Sequence, residues 1–128
     1  MPKTGIQKRK MKPGRIFEMQ KYVKGDVVIF QFPFSDTDEY KKRPALVAAN
    51  TSDENLILCQ ITSQKRPDPD IIPIAQKDFH AGGLKQESFV RPTILFSVHT
   101  SRIDYKVGCL KKEKIKLIEK KFCEIFIR

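Results

Sequence analysis

Hydrophobic and polar positions alternate along most of this chain, and the period changes only near its end. Gly25-Asp26 opens the first run. Val27, Ile29 and Gln31 fall on one face, and Val28, Phe30 and Phe32 on the other. Both faces are largely apolar, which predicts a strand from Val27 to Phe34 buried on both sides over much of its length, with Pro33 ending its pairing. Residues 35–42, SDTDEYKK, are polar apart from Tyr40 and read as a loop. Pro44 biases Arg43 toward an extended backbone, and Ala45 to Ala49 carry a second strand. Residues 50–55 are turn material. Leu56 to Thr62 form a third strand, with Leu56, Leu58, Gln60 and Thr62 on one face.

Ser63 to Pro69 make a second polar loop, SQKRPDP, and Asp70 to Ile74 a short strand between Pro69 and Pro73. Phe79 to Leu84, FHAGGL, read as a turn around a glycine pair. Ser88 to Arg91 and Ile94 to Val98 alternate like two strands separated by Pro92, and Arg102 to Gly108 like a last one. From Lys111 the apolar residues Ile115, Ile118, Phe122, Ile125 and Phe126 recur every three or four positions, the mark of an amphipathic helix with a structural role. The expected fold class is mainly β: a small, mostly antiparallel barrel or curved sheet with one C-terminal helix packed on it.

The chain has 128 residues, enough for one domain. Residues 19–128 are expected to be that domain. Residues 1–18 read as a basic tail, disordered or an over-extended start, because Pro2, Gly5, Pro13 and Gly14 interrupt a self-repelling cluster of Lys and Arg. The net charge is +10. The tail holds six Lys/Arg against Glu18 alone and so accounts for half of it, and the body is basic without its tail. That balance favours a polyanionic partner such as nucleic acid. No run approaches the roughly 20 apolar residues needed to span a bilayer. Cys59, Cys109 and Cys123 form no zinc pattern and are expected to be buried or half-buried reduced thiols of a cytoplasmic protein.

Taken in order, Gly25-Asp26-Val27-Val28, Phe32-Pro33-Phe34, Lys42-Arg43-Pro44-Ala45-Leu46-Val47, Gln60-Ile61-Thr62-Ser63, Gly83-Leu84 to Val90-Arg91-Pro92, and Lys106-Val107-Gly108 before the helix resemble the MazF/PemK toxin family. The resemblance spans roughly residues 22 to 126 and rests on the order and spacing of the pieces rather than on one motif. It implies an SH3-like barrel, a homodimer, and cleavage of single-stranded RNA without a metal or other cofactor. It further implies neutralisation by a small cognate antitoxin, with which such a toxin forms a DNA-binding complex.

The residues themselves suit that chemistry. Cleavage of RNA by its own 2′-OH must steady a doubly anionic phosphorane and move two protons. A guanidinium such as that of Arg43 can clamp phosphate oxygens with a bidentate fork. The Thr62 hydroxyl can donate to a phosphate oxygen or orient the 2′-OH. In the family the corresponding arginine and threonine are the catalytic pair, so the resemblance assigns those roles to Arg43 and Thr62. Arg91 matches the arginine of an Arg-x-Asp pair in some relatives and is a third catalytic candidate. The acidic position of that pair is Thr93 here, which leaves Thr93, Asp36, Asp38 or Glu87 to fill it, or Arg91 to bind RNA only. Arginine is a poor general base, so the sequence supplies charge stabilisation more clearly than proton transfer.

Tyr40, Lys41, Lys42, Ser63, Lys65 and Arg66 flank the pair in the two polar loops and are the candidate RNA contacts, Tyr40 by stacking on an unpaired base. Each residue also has a plainer reading. Arg43 can pair with Asp36 or Asp38 across its loop, and Thr62 can be an ordinary strand threonine. His80 and His99 lie outside the motifs. The rival functions are a non-catalytic nucleic-acid-binding barrel, a gyrase poison of the CcdB kind, and a partner-binding module. The gyrase reading is disfavoured because that group relies on a tryptophan near its C-terminus and this chain has none.

Overall fold

The computed structural model describes residues 21–32 and 41–128. The proposed tail and most of the first polar loop, Tyr40 included, lie outside these residues. The strands are β1 (Asp26–Phe32), β2 (Lys41–Asn50), β3 (Asn55–Thr62), β4 (Ile72–Ile74), β5 (Phe79–Gly82), β6 (Ser88–His99) and β7 (Ile103–Leu110), followed by the helix α1 (Lys112–Ile127). All pairings are antiparallel. The order across the sheet is β4-β6-β3-β2-β1-β7-β5.

That order dictates the shape. β4 and β5 stand at opposite edges, yet only residues 75–78 lie between them in sequence. Such a link reaches ~19 Å at most, counted as Cα–Cα steps. The edges of a flat sheet of seven strands would be ~29 Å apart. The sheet must therefore curl until its edges approach.

Apolar side chains gather on both faces of the curled sheet. Val27, Leu46, Cys59, Ile61, Val90 and Leu110 belong to one cluster. Val28, Phe30, Val47, Leu56, Leu58 and Ile103 belong to the other. The alternation along β1 thus divides as expected, with Val27 in the first cluster and Val28 and Phe30 in the second. α1 covers the first cluster through Ile115, Ile118 and Phe122. Gly25 permits that approach. It has a φ of +96°, which side-chain-bearing residues rarely adopt, and a Cβ there would stand 2.3 Å from Cδ1 of Ile115, which would have to shift. Phe126 is 70% exposed. It lies in the last turn of α1, one residue before the helix ends at Ile127.

The structure corrects several expectations. Phe79 to Gly82 is an edge strand rather than a turn, preceded by a 3-10 turn at Gln76–Asp78. The two strands expected on either side of Pro92 are one, β6. Its pairing with β3 jumps from Cys59–Leu95 to Gln60–Arg91, so Pro92, Thr93 and Ile94 form a bulge that absorbs the missing N–H. Lys41 and Lys42 belong to β2, not to the loop before it. The cysteines are free and span every environment: Cys59 is buried, Cys109 half-buried and Cys123 exposed. Among the described residues no helix is long and apolar enough to cross a membrane.

Candidate functional site

Pro44 creates the opening on which the site is built. It has no N–H to donate, and the β2–β3 ladder stops one residue short of it, at Ala45–Gln60. Past that point the strands are free to part. Arg43 on β2 and Thr62 on β3 stand at the mouth, each two residues beyond the last pair. Both line a cleft of about 600 Å³.

The cleft has three further walls. Ser63, Gln64 and Arg66 come from the loop after β3. Leu84, Lys85 and Gln86 come from the β5–β6 loop, and Tyr105 and Val107 from β7. Gly82 sets the β5–β6 loop: its φ is +70° and a Cβ would stand 2.0 Å from the Val107 carbonyl oxygen. The Gly83 N–H donates to that same oxygen at 3.1 Å, and Gln76 Nε2 donates to the Gly82 oxygen at 2.8 Å. The loop is thereby tied to β7 and presented across from Thr62. The lining holds Lys42, Arg43, Arg66 and Lys85 and no carboxylate among the described residues. Lys42 reaches outward to Asp104, Nζ to Oδ2 at 3.4 Å. A cleft whose described lining carries four cations, one of them paired with Asp104, suits a polyanion.

Arg91 takes a different place. It is not part of the cleft lining. Its Nε donates to Asp68 Oδ2 at 3.3 Å and its Nη1 to Gln60 Oε1 at 3.4 Å. The Asp68 side chain is 12% exposed, and its Oδ1 accepts from the Asp70 N–H at 2.9 Å. Asp68 is thus the carboxylate partner of Arg91, in place of Thr93 or Glu87, both of which are exposed. The arrangement ties the loop that carries Gln64 and Arg66 to the face of β3 that ends in Thr62.

Of the other candidate contacts, Lys42, Ser63 and Arg66 line the cleft and Lys65 does not. Lys41 opens β2. His80 is exposed on β5. His99 is occupied at the far end of β6, where Nδ1 lies 2.9 Å from Ser101 Oγ and Nε2 3.3 Å from Glu54. Lys85, Gln86 and Tyr105 are cleft residues that sequence reasoning missed. The Gly83-Leu84 motif at the start of the β5–β6 loop was the available signal for the first two. For Tyr105 the alternation of β7 alone gave none.

The sequence profile of the PemK-like, MazF-like toxins of type II toxin–antitoxin systems matches residues 23–126. The chain belongs to this family. Solved MazF-like structures share its fold. A mycobacterial endoribonuclease in complex with its cognate antitoxin superposes with a TM-score of 0.66 at 11% identity, over 84% of this chain and 97% of that one. Mycobacterium tuberculosis toxin MazF-mt6 gives 0.62 at 19% identity, over 79% and 95%. The MazF of a MazE–MazF complex from Deinococcus radiodurans gives 0.63 at 16% identity, over 82% and 95%. No curated protein sequence matches the chain closely enough to count. The MazF-like fold of this chain thus brings Arg43 and Thr62 to one open mouth.

Proposed function

We propose that this MazF-like chain is the toxin of a type II pair and a metal-independent, sequence-selective endoribonuclease acting on single-stranded messenger RNA. The observation that carries the reading is the convergence of Arg43 and Thr62 on one cleft whose described lining is cationic, in a member of this family. The 2′-oxygen attacks the adjacent phosphorus, the P–O2′ bond forms and the P–O5′ bond breaks. The 2′-OH proton is lost and a proton is delivered to the departing 5′-oxygen, leaving a 2′,3′-cyclic phosphate and a 5′-OH. Arg43 meets the charge that grows on the non-bridging oxygens, and Thr62 donates to one of them or holds the 2′-OH in line. Arg66, Lys85 and Ser63 hold the flanking backbone. Arg91 serves by fixing the Asp68 loop rather than by touching the reacting phosphate. The protein acts in the cytoplasm as a homodimer and is held inactive by a cognate antitoxin, as the complexed neighbours suggest.

The test is incubation of the full chain with a long single-stranded RNA in excess EDTA. Fragments ending in cyclic phosphate and 5′-OH support the enzyme. Bound but intact RNA supports the non-catalytic barrel instead.

A further inference from the structure

We infer that Tyr105, with the amides of Gln64 and Gln86, forms a subsite that takes one unpaired nucleobase beside the scissile phosphate and reads its identity. The inference rests on the ribonuclease reading of the cleft and adds a specificity site to it.

Tyr105 is 52% exposed, unusual for an aromatic residue in the body of a strand, and it faces a cleft rather than open surface. Its strand is shaped at that point. β7 pairs with β1 through Ile29–Tyr105, and a register shift lies on each side of this pair. Bulges of that kind re-aim a side chain. Across the sheet Ile29 in turn pairs with Pro44, so Tyr105, Ile29 and Pro44 form one row of cleft-lining residues leading to Arg43. Ile61, Leu84 and Val107 complete an apolar floor.

A phosphate alone has no use for that floor. A nucleobase does: it has an apolar face to stack on a ring and a polar edge to be read. The Gln64 and Gln86 side chains reach the cleft from opposite loops and make no hydrogen bond among the described residues. Each offers a donor and an acceptor, the equipment for a base edge. The cations of the rim then hold the phosphates on either side.

The test uses the full chain and a long single-stranded RNA of known sequence, with 5′-OH ends mapped and rates measured. Tyr105→Ala is expected to raise KM about 10- to 100-fold with kcat little changed, and the conservative Tyr105→Phe, which keeps the ring, to recover most of that loss. Gln64→Ala and Gln86→Ala are expected to relax the preference at one position next to the cut without moving the cut itself. Tyr105→Ala cutting the same sites at the parent KM would overturn the inference.

A second readout does not depend on cleavage. The chain has three tyrosines and no tryptophan, so in the Tyr22→Phe/Tyr40→Phe variant Tyr105 alone reports. A short oligoribonucleotide is expected to quench it, and an abasic ribose-phosphate chain of equal length is not. Equal quenching by both, or none by either, contradicts stacking whether or not the parent cuts RNA. Quenching by an apolar peptide but not by the oligoribonucleotide would make the cleft a protein-docking groove and overturn the inference as well.

Discussion

Arg43 and Thr62 face one another across the open end of the β2–β3 pair, two residues beyond Ala45–Gln60, where Pro44 stops the ladder. The placement of both follows from the β2–β3 register. Arg43 is exposed and Thr62 half-buried. Replacing Arg43 by Ala is therefore expected to leave the melting temperature within a few degrees while lowering cleavage at least about 100-fold, the scale seen when one transition-state donor is lost. Arg43→Lys, which keeps a charge but not the fork, is expected to recover only part of the rate. Thermal melts beside single-turnover rates check both.

Asp68 and Arg91 are expected to behave as one unit. If Arg91 acts by holding the loop, Asp68→Ala and Arg91→Ala weaken RNA binding by similar factors and the double variant is no worse than either. The pair is half-buried, with side chains 12% and 23% exposed, so the coupling should be larger than the ~0.5 kcal/mol of an open surface pair. Additive losses in kcat would instead place Arg91 at the reacting phosphate. A double-mutant cycle on KM and kcat separates the two.

The pairing of Arg91 with Asp68 also shows where sequence reading stops. The strands β1 to β3 and the helix were legible because their periodicity is local, as was the Arg43 and Thr62 pair because it sits in motifs. β5 was not, since Phe79-His80-Ala81-Gly82 beside a second glycine looks like a turn until β7 supplies its partner. Pro92 looked like a strand break because nothing in the sequence announces a bulge. Asp68 lies 23 residues from Arg91, and Tyr105 is brought to Arg43 only by the strand order β2-β1-β7. Contacts made by curling a sheet leave no spacing rule in the chain.

The packing of α1 predicts the main stability defects. Ile118 is 2% exposed and sits in the first core cluster, so Ile118→Ala should cost about 2–5 kcal/mol. Gly25→Ala should also destabilise, because it meets both the positive φ and the Ile115 methyl. Denaturant melts of both variants, against the exposed control Leu117→Ala, check this; a Gly25→Ala chain as stable as the parent would mean that α1 can shift away from β1.

Cys59 should be chemically silent. Burial pushes its thiol up to about 12, and the S–H donates to the Arg91 carbonyl. At pH 8 a maleimide is expected to label Cys123 quickly and Cys59 only on unfolding. The raised value favours the neutral thiol in the folded state. Its effect on stability is therefore absent below the ordinary value of 9.0 and becomes a loss as pH climbs from there through about 12. Alkylation followed by peptide mapping, with and without denaturant, reads the first expectation directly.

Charge should show in the salt dependence. If Lys85 and Arg66 each neutralise one phosphate, replacing either by Ala should reduce the slope of log affinity against log salt by about 0.7, the single-strand value per contact. Lys65, which lies outside the cleft lining, should change it less. Titrations of a single-stranded oligoribonucleotide at several salt concentrations give the slopes.

The most direct test of the central claim is the chemistry of the RNA ends left by the parent and by Arg43→Ala in the presence of EDTA. The parent is expected to produce 2′,3′-cyclic phosphates and 5′-OH groups at a reproducible short sequence, and Arg43→Ala, folded and still binding RNA, at least about 100-fold fewer at that sequence. Ends bearing 5′-phosphate, a strict need for added metal, or undiminished cutting by Arg43→Ala would contradict it.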